Sequence, residues 1–419
     1  MEAFGSELER RERAVELVGE GVSKAEVARR VGRSREWVHK WWRRWSSDGS
    51  DGLVDRSRAR HGQDRVTPAE VGVRVLEVRD SLEANPVANV GSLSILASLE
   101  REGFSPLPSV STIERILRRA GRTQPYRRRQ RSGIRLPLPV ITGPGIWHQA
   151  DWVQDRYLSG GIKFHSLQIS DVGSHGITAT QYRHRYVRNA VDALWKRTWP
   201  FLSIPQALGT DNAFAHTTHR NNPWTEWTRL CLFFGTEVII SPPGELGWTN
   251  HVEAVNELWQ SRTIRTRHFS TLDELRTGSE EACWWFNHHR PVLDPTVHGT
   301  RYPAEYIAAH TDQLRWPPDI NLADHRDHKG RLTLPLAPGR VTHLRHINKD
   351  HTINVTHTTW PVPPTIPIGT LVTATITTTD QTLTIRHRGQ PVTTHPYPIR
   401  DPITTGYYPP ANHGLLDHI

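Results

Sequence analysis

Residues 147–184 read WHQADWVQDRYLSGGIKFHSLQISDVGSHGITATQYRH, and this stretch decides what kind of core the chain builds. Strand-type patterning covers WHQADWVQ, GIKFHSLQISDV and GITATQYRH. The turns fall at Ser-Gly-Gly (159–161) and Gly-Ser-His-Gly (173–176). The pattern predicts three successive strands in a meander. Working outward, residues 190–199 read as a helix, 204–208 as a strand, 224–234 as a helix and 237–240 as a short strand. A further helix starts at Asn250 and runs to about His268.

A meander followed by alternating helix and strand is the element order of an RNase H-like α/β core, expected here over 139–312. Three acidic residues stand where such a core can use them. Asp151 lies in the first strand, Asp211 at the end of the strand in LGTDN, and Glu253 at the start of the helix in TNHVEAVNELW. Phosphodiester chemistry needs an activated oxygen in line with a leaving oxygen, and two Mg²⁺ ions can stabilise both. Mg²⁺ prefers hard carboxylate oxygens and keeps several waters, so three carboxylates suffice for two ions. Asp151 is the expected bridge, with Asp211 completing one site and Glu253 the other.

Each residue also has a plainer reading. Asp151 can be an ordinary strand-end carboxylate, and Asp211 beside Asn212 is good turn chemistry. Asn250-x-x-Glu253 has the spacing of a capping box, which would make Glu253 structural. Taken singly the plain readings win; order, spacing and placement together favour the site.

The chain has 419 residues, a formal net charge of +9 and a pI near 9.8, an excess carried mostly by arginine. Such a surface suits nucleic acid, because arginine neutralises phosphates and releases counterions. The two cysteines, Cys231 and Cys283, form no CxxC pair, which argues against a zinc knuckle or a disulfide framework. A charged beginning without an apolar signal core, and no membrane-length apolar run, point to a cytoplasmic protein.

The first segment, 1–50, is expected to be a helix-turn-helix. Leu8, Val15 and Val18 share a face of the first helix. Ser23 with Glu26 boxes the second, Gly32 turns the chain, and Ser34 caps the third, SREWVHKWWRRW. Arg35, His39, Lys40, Arg43 and Arg44 are then free to face a DNA groove. A second helical unit, 64–122, is expected from helices at 67–83, 92–102 and 109–120, as another helix-turn-helix or a winged helix. The linker 123–138 carries Arg127, Arg128, Arg129 and Arg131 without an acid, and is expected to track a phosphate backbone. Over 330–400 four short alternating segments predict a small SH3-like β-barrel. His343, Arg345, His346, Arg386, His387 and Arg388 would form its basic side, and the many histidines there read as surface residues.

The residues between Trp147 and Tyr306 resemble the retroviral-integrase-type core of bacterial insertion-sequence transposases. The resemblance rests on WHQAD, on the TDN of LGTDN, on Glu253-x-x-Asn256 in SPPGELGWTNHVEAVN, and on FNHHRP followed by TRYPAEY. The front end, VSKAEVARRVGRSREWVHKWWRRW with GLVDRSR, resembles the leader of the same transposases. Two features depart from the family pattern: Asp211-Asn212 is followed by Ala213 rather than Gly, and forty-one residues separate Asp211 from Glu253.

The resemblance implies cleavage of 3′ ends at transposon termini and strand transfer with two Mg²⁺ ions, for which Mn²⁺ can substitute. It implies double-stranded DNA as partner, a DNA-induced homo-oligomer, room for an accessory ATPase, and a place at the bacterial nucleoid. Asn256, Arg262 and Arg265 would lie near the DNA ends. The alternatives are a catalytically inactive domesticated transposase acting as a DNA-binding regulator, and an RNase H-like nuclease.

Overall fold

In a computed structural model the described residues are 4–55, 67–123, 139–214, 224–243, 248–294, 299–411 and 414–418. They fall into two compact units, residues 1–66 and 67–419.

In the first unit, helices α1 (Glu7–Gly19), α2 (Lys24–Val31) and α3 (Arg35–Asp48) begin at serine caps. Ser6, Ser23 and Ser34 each accept the amide three residues on, and Gly32 takes the left-handed conformation (φ 66°) that ends α2. These are the devices that satisfy orphan amides and terminate helices. Ala14, Leu17, Val27, Ala28, Val31 and Val38 form the core. Trp41 closes a smaller cluster with Val15 and Leu53, and the Arg11 guanidinium lies 3.9 Å from its ring. Leu8, expected on the inner face, is exposed; Ala14 and Leu17 are buried with Val15.

The second unit opens with α4 (Ala69–Ala84), α5 (Ser92–Arg101) and α6 (Val110–Arg119), packed through Val71, Val75, Val78, Ile95, Leu99, Ile113 and Leu117. Strands β1 (Trp147–Tyr157), β2 (Lys163–Asp171) and β3 (Ile177–Tyr182) form the expected antiparallel meander. A helix follows as α7 (Val187–Ala193), a wider π turn and α8 (Trp199–Leu202), longer than the periodicity indicates. Next come β4 (Ala207–Thr210), α9 (Glu226–Phe233), β5 (Glu237–Ile240), α10 (Asn250–Arg262) and α11 (Leu272–His289). A short hairpin, β6 (Val292–Asp294) with β7 (Gly299–Arg301), precedes α12 (Pro303–Ala309).

The C-terminal strands depart from expectation. β8 (Arg340–His346), β11 (Leu371–Thr377), β12 (Thr382–His387) and β13 (Gln390–Pro396) pair in series. β9 (Thr352–Val355) and β10 (Thr358–Pro361) form a separate hairpin. β8 joins β5 in parallel, with Val238 opposite Val341 and Ile240 opposite His343. One nine-stranded sheet results, ordered β13-β12-β11-β8-β5-β4-β1-β2-β3, and no closed barrel forms among the described residues. The reason is burial. β5 is buried throughout and three of its four residues are apolar, so left at an edge it would be exposed, and β8 covers it. Two of the residues expected on a basic outer side, His343 and Arg345, are therefore buried.

Both ends of the sheet are blunted. At β3, Asn287 accepts the Ile177 amide and donates to its carbonyl, each at 2.9 Å, while Arg276 donates to the Gln181 carbonyl at 3.2 Å. At β13, Pro391 and Pro396 withhold two amides.

Candidate active site

Period-two geometry splits β1 between two faces. Ala150 and Trp152 enter the apolar core with Leu167, Ile169 and Leu208, and α7 and α9 complete that core. Trp147, Gln149, Asp151 and Val153 alternate with them and so line the opposite face, where Val153 packs with Trp259 of α10 and Leu275 of α11. The polar residues of WHQAD thus face α10.

The β1–β4 pairing is parallel and its last registered pair is Gln149 with Gly209. Two residues further along each strand stand Asp151 and Asp211. Adjacent strands lie about 4.8 Å apart, so this register sets the two carboxylates side by side. Gly209 matters here: a Cβ at that position would sit 2.8 Å from Trp147 Nε1, so only glycine lets the indole lie across β4.

Glu253 arrives from α10, whose start is fixed by a residue that sequence reasoning passes over. Gln149, buried at 1% exposure, accepts the amides of His251 (3.1 Å) and Val252 (3.2 Å) through Oε1. Through Nε2 it donates to the Trp248 carbonyl (3.0 Å). Two of the orphan amides at the start of α10 are thus satisfied from β1. Glu253 does not close a box with Asn250: Thr249 is the residue before the helix, the Glu253 amide donates to its carbonyl at 2.9 Å, and its hydroxyl donates to Glu253 Oε1 at 2.9 Å. The signal for Gln149 was available, since a glutamine two residues before Asp151 must share its face.

The three carboxylates interact electrically. Asp151 is pushed up to about 6, first by burial and then by the charges of Asp211 and Glu253. The Trp152 amide and the Asn256 side chain oppose the rise. Asn256 Nδ2 donates to Asp151 Oδ2 at 2.7 Å, so its amide holds the carboxylate. Among the described residues no three His, Cys, Asp or Glu side chains are gathered tightly enough to hold an ion by themselves. The carboxylates are in charge contact, and they are hard oxygen donors with no nitrogen or sulfur among them. That set fits Mg²⁺, which keeps most of its water and takes one or two carboxylates.

Neighbouring groups brace the site. Asn212 Oδ1 accepts Arg345 Nη2 from β8 at 2.8 Å, and burial lowers the Arg345 guanidinium to about 10. His251 Nδ1 meets Ser170 Oγ at 2.9 Å, and its Nε2 meets His175 Nδ1 at 2.7 Å. Burial holds His251 down at about 3 and His175 at about 4, so both rings are neutral near pH 7.

The remaining expected DNA contacts divide. On α3, Arg35, His39, Lys40 and Arg43 are exposed, and a concavity of about 360 Å³ runs along Glu36, His39, Lys40, Arg43 and Arg44. Arg44 itself turns back, donating to the Val54 carbonyl at 3.2 Å and lying 4.6 Å from the Trp41 ring. Arg265 is exposed but paired with Glu257, and Arg262 is half-buried beside Arg79 and Glu83. Arg127, Arg128, Arg129 and Arg131 lie outside the described residues.

Residues 6–54 match the family model of a homeodomain-like helix-turn-helix domain. The chain is also similar to solved retroviral structures. A chain of the simian T-cell lymphotropic virus intasome, solved with a PP2A regulatory subunit, is 15% identical, covering 67% of this chain and 87% of that one at a TM-score of 0.33. The catalytic core domain of HTLV-2 integrase, in complex with magnesium, is 16% identical in a trimeric and a dimeric form. These cover 38% and 39% of this chain and 96% and 97% of theirs, at TM-scores of 0.28 and 0.29. No helix among the described residues is long and apolar enough to cross a membrane.

Proposed function

We propose that this protein is a DNA transposase that cleaves 3′ ends at transposon termini and joins them to target DNA. The observation that carries the reading is the convergence of Asp151, Asp211 and Glu253, two aligned by strand register and the third presented by a helix pinned to the same strand. The raised proton affinity of Asp151 supports a divalent cation as the missing counter-charge.

Asp151 would bridge two cations, with Asp211 and Glu253 completing one site each. When bound, the pair stabilises the attacking and leaving oxygens of an in-line displacement. Asn256 holds Oδ2 of Asp151, and Thr249 steadies Glu253. The 1–50 unit would recognise terminal repeats through the exposed cations of α3. The 64–122 unit and the 123–138 linker would add contacts along the DNA, and 139–312 would carry the chemistry. The 330–400 strands would support it from the same sheet. Assembly of several copies on paired DNA ends at the nucleoid belongs to the same reading, as does an accessory ATPase.

The test is strand transfer of a labelled duplex bearing the inverted repeat that flanks the gene, with Mg²⁺ or Mn²⁺. Joining should vanish in EDTA and in Asp151→Asn, Asp211→Asn and Glu253→Gln. Joining that survives Glu253→Gln removes that residue from the site. Repeat-specific binding without cleavage favours a DNA-binding regulator, and hydrolysis without joining favours a nuclease.

A further inference from the structure

A cavity of about 390 Å³ opens between residues 89–94, His175 and the chain that follows α11. Its lining holds Arg290, His175, Asn89, Ser92 and Ser94 and no carboxylate. Arg290 is partly buried, and burial lowers its proton affinity. Among the described residues it makes no hydrogen bond or ion pair. Other arginines of this unit are engaged: Arg101 with the His288 carbonyl, Arg301 with the Gly173 carbonyl, Arg345 with Asn212. A desolvated guanidinium without a partner is unfavourable unless a counter-charge comes from outside.

A second feature is independent of Arg290. Ser170 Oγ, His251 Nδ1 and Nε2, and His175 Nδ1 form a chain that runs in either direction; when Ser170 donates, His251 Nε2 donates to His175 Nδ1 and His175 keeps its proton on Nε2. In that tautomer the Nε2 proton, on a ring that lines the cavity, has no acceptor among the described residues. The first turn of α5 also lines it, and Gly91 at its cap offers the leading amides no side chain. A guanidinium, a ring N–H and the positive end of a ten-residue helix are the donors an oxyanion requires.

We propose that this cavity binds a backbone phosphate of the nucleic-acid strand that enters the carboxylate site. The inference rests on reading those carboxylates as DNA-acting. The link is His251, which stands two residues before Glu253, donates its amide to Gln149, and orders His175. The subsite would grip the strand regardless of base sequence and hold it in register for chemistry.

The test is the salt dependence of DNA binding by the full chain in EDTA, so that no catalysis intervenes. Arg290→Gln removes the guanidinium. Gly91→Asp supplies a carboxylate to the α5 amides; its new Cβ meets nothing within 4 Å and its φ of −75° accepts a side chain, so folding is preserved. Each variant should weaken binding to unrelated duplexes alike and lower the slope of log affinity against log salt by about 1. The affinity lost between 50 and 200 mM salt then shrinks by about fourfold. An unchanged slope in Gly91→Asp overturns the proposal, even if Arg290→Gln fails to fold. Titrating inorganic phosphate without DNA separates the sources. Phosphate protection that depends on Arg290, with an unchanged DNA slope, would assign the cavity to free phosphate and also overturn it. Joining that needs the carboxylates while the slopes stay unchanged sinks only this inference. Reduced slopes without joining sink only the transposase reading.

Discussion

Replacing Gln149 with leucine should damage the site without touching a carboxylate. The side chain is buried and makes three hydrogen bonds, two from α10 amides and one to the Trp248 carbonyl. Each is worth about 1 kcal/mol net, and each buried partner left unsatisfied costs about 1–3 kcal/mol. Some of these groups can rehydrate at the helix start, so a loss of about 2–4 kcal/mol is expected by urea denaturation. The functional effect should be larger than the stability effect suggests. α10 would lose its tether to β1, and a shift of about 1 Å in a reacting group can cost on the order of 100-fold in rate. Gln149→Glu separates the two effects. It keeps the acceptor for both amides and so the tether, but it loses the donor to the Trp248 carbonyl and buries an acid, so a loss of about 1–3 kcal/mol is expected. It also adds a negative charge on the face of Asp151, which should move the acid limb of a joining pH profile upward. A Gln149→Leu protein that joins DNA at the parent rate and unfolds within about 0.5 kcal/mol of it would refute the tether.

Other outcomes follow from the same structure. The Asp151 pKa is raised in the fold, so metal-free protein should lose stability as pH climbs from about 4 to about 6, on the order of 2 kcal/mol, and Asp151→Asn should abolish that part of the decline in urea melts. A chain ended at residue 330 should fail to fold its second unit, because β5 would lose β8; a retained near-UV spectrum in that fragment would contradict this. Lys40→Ala and Arg43→Ala should each lower the DNA-binding salt slope by about 1 while leaving the melting temperature within a degree or two. Trp41→Ala, by contrast, should unfold the first unit, as read by its circular dichroism.

The sequence carried the meander, the serine caps and the order of helices and strands, because these depend on local periodicity and hydrogen bonding. Asp151 and Asp211 could each be placed on a strand or at its end from it, but the parallel register between those strands came only with the fold. Other features were hidden because they are long-range. Nothing near Val238 says that Val341, about a hundred residues away, will be its neighbour. An isolated reading of RVTHLRH therefore gave a surface strand, where the structure buries His343 and Arg345. Glu253 was ambiguous for a similar reason. Its spacing from Asn250 matches a capping box, and only the fold shows that the helix starts one residue after Thr249 and is held by Gln149 from another element.

The blunted ends of the sheet bear on how such a protein tolerates crowding. On the proposed reading, a reaction on paired DNA ends would bring copies of one chain to high local concentration, where an open strand edge would recruit its twin and stack without limit. Asn287 and Arg276 occupy one edge with side chains and two prolines interrupt the other. On that reading, copies gathered on DNA would be steered toward contacts that can be undone, and assembly would be governed by the nucleic acid and not by the sheet.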